Sequence, residues 1–134
     1  MRQLVLVVDD DPDVRCAYEE HLSSVGYEVH GASNLREGRA RLARCAYDAV
    51  ILDVCLGREG AEGLDLAGEI ARQRAPRPFL VLTAYGEPIF GRAAARLRAD
   101  AFLHKPVSLA WLEALLRGGM AARRLPLTTR ARAS

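Results

Sequence analysis

The chain has 134 residues, half of them apolar, which is enough for the core of one ordinary domain. No apolar run approaches the roughly 20 residues of a membrane-spanning helix, and the start lacks the long apolar region and cleavage site of a secretory signal, so we expect a cytoplasmic protein. The three cysteines are scattered without a CxxC pair, which favours neither a disulfide framework nor a zinc site.

The formal net charge of +2 conceals an uneven distribution. Five of the 19 basic residues follow the last acidic residue, Glu113, and without them 14 basic and 17 acidic residues leave the body of the chain at about −3. We therefore predict a domain over residues 1–118 and a basic, flexible tail over residues 119–134. All the basic residues except Lys105 are arginines, which points to a role for a compact ammonium at that position.

Strands and helices are predicted to alternate in the first half of the chain. Leu4–Val8 is a continuous apolar run, typical of a buried parallel strand. Pro12 suits the first turn of a helix that Gly26 closes. There follow a strand over Glu28–Ala32, a helix capped by Asn34 with Glu37 as capping partner, and a strand over Ala49–Leu52 that ends at Asp53.

The second half is predicted to continue the alternation. A glycine-rich loop leads to a helix over Leu64–Gln73, followed by a strand over Phe79–Thr83, a helix between Ile89 and Leu97, a strand over Ala101–Leu103 and a final helix capped by Ser108 and ended by Gly118 and Gly119. Five strands that alternate with five helices predict an α/β fold with a doubly wound parallel sheet.

Polar residues lie at, or just after, the ends of four predicted strands: Asp9 to Asp11, Asp53, Thr83 and Lys105. Ligands of such sheets bind at the carboxyl ends of the strands. Carboxylates suit Mg²⁺, which would also offset their mutual repulsion. With a lysine and a hydroxyl nearby, the set has the parts needed for phosphoryl transfer, and Asp53 is the favoured nucleophile because it stands apart from the acidic run.

Each of these features has an ordinary structural explanation when it is taken alone. An acidic strand end is usually solvated, an aspartate after a strand usually caps the next helix, and a Lys-Pro pair usually forms a turn. Their joint occurrence in this order favours a functional site.

Four stretches resemble the motifs of response-regulator receiver domains of bacterial two-component signalling. They are LVLVVDDDPDVR, DAVILD, FLVLTAYG and DAFLHKPVS, which span residues 4–108 in the order and spacing of that family. The resemblance implies a single-domain regulator with a flavodoxin-like fold and strand order 2-1-3-4-5. It also implies that a sensor histidine kinase or phosphotransfer protein phosphorylates Asp53, in a two-component system or a phosphorelay.

The resemblance assigns the Mg²⁺ ligands. Asp10 matches the acid that binds the ion directly, together with Asp53, and Asp9 matches the acid that holds it mainly through water. The backbone carbonyl of Cys55 matches the third protein ligand.

The resemblance also assigns the residues that bind the phosphoryl group and transmit the signal. Thr83 and Lys105 match the groups that contact the phosphoryl oxygens, and Ala84 matches the residue that keeps access to Asp53 open. Phe102 matches an aromatic whose rotation couples to Thr83, and Pro106 the proline of a cis peptide bond. Phosphorylation is expected to shift the face formed by the fourth helix, fifth strand and fifth helix, which would control a partner protein or a dimer.

Two departures from the family pattern concern the surroundings of Asp53. The usual proline four residues after it and glycine eight residues after it are replaced by Gly57 and Ala61, so the loop to Gly63 is predicted to be two residues longer. Cys55 and Tyr85 occupy positions that tune the access of water to the acyl phosphate in this family, and Tyr85 is predicted to shield it.

Two alternative functions remain open. An Asp-x-Asp after an apolar strand, with VLT and Lys105 further on, also resembles the haloacid-dehalogenase-type phosphatases, in which Asp9 would be the nucleophile and Asp11 the acid/base. That family has a further acid pair after the lysine, whereas only Glu113 follows here. The other alternative is a receiver that works without phosphorylation, because the loop after Asp53 is altered.

The C-terminal residues indicate how the domain would pass its signal to other molecules. No helix-turn-helix fits after residue 118, so we expect no DNA-binding domain and no membrane contact, with output through a downstream protein target. Trp111 falls outside the core stripe of the final helix, so it is predicted to be a contact surface or to pack against the fourth helix. The arginine tail either contacts nucleic acid or an acidic partner, or is simply solvated. Met1, directly before the first strand, favours a natural start.

Overall fold

Five strands form one parallel sheet: β1 (Leu4–Val8), β2 (Glu28–Ala32), β3 (Ala49–Asp53), β4 (Phe79–Thr83) and β5 (Ala101–His104). Their order across the sheet is β2-β1-β3-β4-β5, and every pair of neighbours is parallel. The chain is seen in a computed structural model that describes residues 2–53, 68–70, 78–83, 100–104 and 107–122. The predicted doubly wound sheet and its strand order are confirmed.

Three helices are described in full: α1 (Pro12–Ser24), α2 (Leu35–Arg44) and a C-terminal helix (Leu109–Ala122). Residues 68–70 are also helical, within the helix predicted over Leu64–Gln73. The rest of that helix, the Gly57–Gly63 loop, the predicted helix between Ile89 and Leu97 and the tail from residue 123 lie outside the described residues. No helix in the described part of the chain is long and apolar enough to cross a membrane.

The sheet is buried on both of its faces. One face packs with residues of α2 around Leu6, Val50 and Phe79, and the other packs with α1 and the C-terminal helix around Val7, Ile51 and Leu82. Because both faces are covered, the residues of the central strand β3 are all buried. This explains why the strands appear in the sequence as continuous apolar runs rather than as alternating patterns.

The helix starts follow the expected capping chemistry. The Asp11 carboxylate accepts hydrogen bonds from the amides of Asp13 (2.9 Å) and Val14 (3.4 Å), and Pro12 occupies the first turn. At α2 the Asn34 side chain accepts the Glu37 amide at 2.8 Å. The Glu37 carboxylate reaches back to Ser33, the residue before the cap, and accepts from its amide and its hydroxyl. These bonds from Ser33 hold the pKa of Glu37 below its usual value.

The chain closes α1 with a glycine, as the sequence predicts. Gly26 has a φ of 106°, a conformation that other residues rarely adopt. The strand ends differ slightly from the prediction, because Asp53 is itself the last residue of β3 and His104 extends β5 by one residue.

The predicted end of the final helix at Gly118 and Gly119 is wrong, because the helix continues to Ala122. A Cβ atom built on Gly119 would lie 2.6 Å from the Cβ of Pro78, whereas one built on Gly118 would meet nothing within 4 Å. Gly119 therefore permits close packing of the helix against the residue before β4. Of the two alternatives for Trp111, the exposed position agrees with the structure, since 54% of its surface is accessible, while Leu112 and Leu116 are fully buried.

Paired substitutions of the two glycines test this packing. We expect Gly118→Ala to stabilise the protein by about 0.5–1 kcal/mol, because alanine is the better helix former. Gly119→Ala should destabilise it by about 1–3 kcal/mol, because the Pro78 ring cannot move aside without disturbing the chain around it. Urea unfolding of both variants measures the difference, and equal effects at the two positions would contradict the close contact between Gly119 and Pro78.

Candidate functional site

The pairing register of the sheet brings the predicted polar strand ends to one edge. Val8 pairs with Leu52, so Asp9 and Asp53 each follow one member of the same pair. Asp53 pairs with Leu82, which places Thr83 one residue beyond it on the neighbouring strand. Because parallel strands all end at the same edge, residues distant in the sequence converge there.

Three carboxylates meet at this edge. Asp9, Asp10 and Asp53 each present one oxygen atom, and these three atoms lie within 4.8 Å of one another. Asp9 is 1% exposed and Asp53 is 3% exposed, whereas Asp10 lies at the surface. The cluster therefore has a buried base and one side open to solvent.

Hydrogen bonds fix the backbone of Asp9 on both sides. Its amide donates to the carbonyl of Ala32 at the end of β2 (3.0 Å), and its own carbonyl accepts from the Arg15 guanidinium (2.7 Å). Its carboxylate oxygen Oδ1 accepts the Asp11 amide at 2.9 Å. The loop between β1 and α1 is thus held by bonds to β2, to α1 and within itself.

The donor set fits a hard divalent cation. Carboxylate oxygens are the ligands that Mg²⁺ prefers, and Mg²⁺ usually keeps several water ligands, which the exposed side at Asp10 allows. Like charges this close repel one another, so a divalent cation at this edge would stabilise the cluster.

The remaining predicted site residues are only partly described. Thr83 is the last residue of β4 and Phe102 lies within β5, so their backbones are at or near the same edge as the carboxylates. Cys55, Ala84, Tyr85, Lys105 and Pro106 lie outside the described residues. Their assigned roles stay predictions.

Sequence reasoning missed one residue that contacts the site, Arg15. The only signal for it in the sequence is a helical spacing of four residues from Glu19, and such pairs are common on exposed helices. Its contact with the Asp9 carbonyl depends on the way α1 folds back over the sheet, which the sequence pattern does not give.

The family of response regulator receiver domains matches residues 5–117 of the chain. The chain belongs to this family. It is therefore a receiver domain of two-component signal transduction, and the domains of this family are generally phosphoacceptor modules rather than enzymes.

Relatives and solved structures agree with this assignment. The receiver domain is 36% identical over 115 residues to the response regulator protein PilR of Pseudomonas aeruginosa, a match that covers 86% of this chain and 25% of PilR. The chain therefore spans about a quarter of the length of that relative.

Two solved structures share the fold. A CheY-like receiver domain protein from Methanospirillum hungatei superposes with a TM-score of 0.85 at 24% identity, covering 92% of this chain and 97% of the other. A response regulator from Burkholderia pseudomallei has a TM-score of 0.77 and 26% identity, covering 91% of this chain and 71% of the other. The second structure holds a phosphorylated aspartic acid, a calcium ion and citrate.

Neutralising one carboxylate tests the repulsion within the cluster. In the absence of divalent cations we expect Asp10→Asn to raise the free energy of unfolding by about 1 kcal/mol, since a charge within reach of two others is removed. Mg²⁺ should stabilise the wild type and stabilise this variant less. Urea unfolding with and without Mg²⁺ measures both effects.

Asp13→Asn is the matched control, because Asp13 is an exposed acid in the first turn of α1 and is not part of the cluster. It should lower the stability by about 0.5 kcal/mol, through the lost interaction with the helix amides, and leave the response to Mg²⁺ unchanged. If Asp10→Asn does not raise the free energy of unfolding, repulsion among the three carboxylates does not destabilise the protein.

Proposed function

We propose that Asp53 is the phosphoacceptor of this receiver domain and that the acceptor reaction requires Mg²⁺. The observation that carries the proposal is the convergence of the Asp9, Asp10 and Asp53 oxygens within 4.8 Å at the carboxyl edge of the sheet. The Burkholderia pseudomallei structure, which holds a phosphorylated aspartic acid and a calcium ion, supports the proposal.

Asp10, Asp53 and the backbone carbonyl of Cys55 would hold the ion, and Asp9 would hold it through water. The indirect role of Asp9 is supported by its contacts, because its Oδ1 atom already accepts the Asp11 amide. When bound, Mg²⁺ supplies charge neutralisation for the phosphoryl oxygens and for the carboxylates themselves.

The chemistry proposed for Asp53 is nucleophilic attack on a phosphohistidine. A carboxylate oxygen of Asp53 forms a bond to phosphorus while the bond from phosphorus to the histidine nitrogen breaks, and the nitrogen keeps the electron pair. The product is an acyl phosphate, which water later hydrolyses to restore the carboxylate. Because Asp53 is 3% exposed, bulk water has little access to it, which limits competing hydrolysis at the acceptor carboxylate.

Recognition of the phosphoryl group is assigned to the neighbouring strands. Thr83 donates its hydroxyl and Lys105 its ammonium to the phosphoryl oxygens, and the small side chain of Ala84 leaves room for the donor. Phe102 is proposed to couple to Thr83 through its rotation, and Pro106 to be the proline of the cis peptide bond after Lys105. Cys55 and Tyr85 set the rate at which water reaches the acyl phosphate.

The output proposed for the domain is a protein contact. Phosphorylation shifts the population between two arrangements of the face formed by the predicted fourth helix, β5 and the C-terminal helix. This face controls a downstream target or a dimer. The exposed Trp111 on the C-terminal helix suits such a contact. The donor is a sensor histidine kinase or a phosphotransfer protein in the cytoplasm, and residues 1–118 form the domain that it recognises.

The experiment is intact-mass analysis after incubation with acetyl phosphate and Mg²⁺. We expect a single phosphoryl adduct that forms only with Mg²⁺, is lost in Asp53→Asn and is retained in the control Asp13→Asn. Chelation of Mg²⁺ should abolish the adduct, because the carboxylate repulsion would then be uncompensated.

Two other outcomes would each contradict the proposal. Turnover of acetyl phosphate that survives Asp53→Asn but not Asp9→Asn would indicate a haloacid-dehalogenase-type phosphatase. Neither adduct nor turnover, also with a phosphohistidine donor, would indicate a receiver that works without phosphorylation.

A further inference from the structure

Arg15 connects α1 to the loop that carries the acidic cluster. From the first half of α1 its guanidinium donates a hydrogen bond from Nη1 to the backbone carbonyl of Asp9, at 2.7 Å. The side chain is 23% exposed, so it is largely enclosed by protein. This bond holds the carbonyl that lies between the side chains of Asp9 and Asp10, and it therefore limits the rotation of the peptide that joins them.

A glycine on β2 leaves space for this arrangement. A Cβ atom built on Gly31 would lie 2.0 Å from the Glu19 carboxylate and 3.0 Å from Cδ of Arg15. The side chains of Glu19 and Arg15 therefore lie directly over the backbone of β2 at its glycine. Any other residue at position 31 would displace Glu19 and would press on the Arg15 stem.

The charge of Arg15 is balanced by acids that lie outside the cluster. Its Nε atom is 3.9 Å from the Glu19 carboxylate, and its charge also acts on Glu37 at the start of α2. The pKa of Glu37 is held low mainly by the bonds from Ser33 and to a smaller extent by Arg15, so Glu37 is ionised at neutral pH. The acids that act on Arg15 thus lie outside the cluster, and the contact of Arg15 with the site is its bond to the Asp9 carbonyl.

We infer that Arg15 is a positioning residue of the cation site: it fixes the Asp9–Asp10 peptide so that both carboxylates face Asp53, and Gly31 provides the space in which it does so. This inference rests on the proposed function, because it concerns the affinity of the same site for Mg²⁺. It adds residues of α1 and β2 to a site otherwise built from strand ends.

The test measures Mg²⁺ binding by isothermal titration calorimetry, which does not depend on phosphorylation. We expect Arg15→Met to weaken Mg²⁺ affinity roughly tenfold, the lower end of the effects seen for residues that orient metal ligands. Arg15→Lys should restore part of the affinity, since its ammonium keeps a donor. The matched control is Arg44→Met, an exposed arginine in the last turn of α2, and it should bind Mg²⁺ like the wild type.

Gly31→Ala tests the same contact without changing any charge. The Glu19 carboxylate is the end of a flexible chain and can swing away, so the loss of stability should be small. The Mg²⁺ affinity should nevertheless fall, because the Arg15 stem must shift by a few tenths of an ångström from the position in which it reaches the Asp9 carbonyl. In the ion-free protein, Arg15→Met should also speed hydrogen exchange of the Asp11 amide, which is bonded to Asp9, and should leave amides of β3 unchanged.

The outcomes separate this inference from the proposed function. Wild-type affinity for Mg²⁺ in Arg15→Met and in Gly31→Ala would overturn the positioning role while leaving the phosphoacceptor intact. Tighter Mg²⁺ binding in Arg15→Met would also overturn it, because Arg15 would then act as a repelling charge. A wild type that binds no Mg²⁺ would overturn both.

Discussion

Mutual repulsion among three carboxylates is the constraint around which the edge of this sheet is built. Their oxygens lie within 4.8 Å of one another, and two of the three side chains are nearly excluded from water. Carboxylates this close repel one another. They lie together because the pairing of β1 with β3 leaves Asp9 and Asp53 side by side. The buried sheet therefore holds the acids in place, and the repulsion among them favours the binding of a cation.

The surroundings of the cluster show how described residues hold the acidic loop in place. Asp11 is used as the cap of α1, and Asp9 is bonded through its amide, its carbonyl and one carboxylate oxygen. Each of these bonds orients the loop but leaves its negative charge in place. A site of this kind is rigid before a ligand arrives, which lowers the cost of ordering it on binding.

Much of the fold follows from local sequence. The apolar runs correspond to the strands because both faces of the sheet are covered, and Pro12, Gly26, Asn34 and Ser108 mark helix ends through bonds and backbone conformations that involve only nearby residues. The end of the C-terminal helix could not be predicted in this way. Glycine ends helices by local preference, whereas Gly119 is needed for contact with Pro78, some 40 residues earlier in the chain.

Some residues of the candidate site could be predicted from the sequence and others could not, for the same reason. Asp9, Asp10 and Asp53 could be identified from the sequence because polar residues at the ends of apolar runs must meet at one edge of a parallel sheet. Arg15 and Gly31 could not, since one resembles an ordinary helical arginine and the other an ordinary strand glycine.

The sequence by itself determined which residues form strands, where the three fully described helices begin and which acids converge, because these depend on short-range periodicity and on the shared direction of the strands. Only the tertiary structure decided how α1 lies across β2, and hence which side chain reaches the Asp9 carbonyl. That contact depends on the packing distance between a helix and a strand, a quantity that no local pattern encodes.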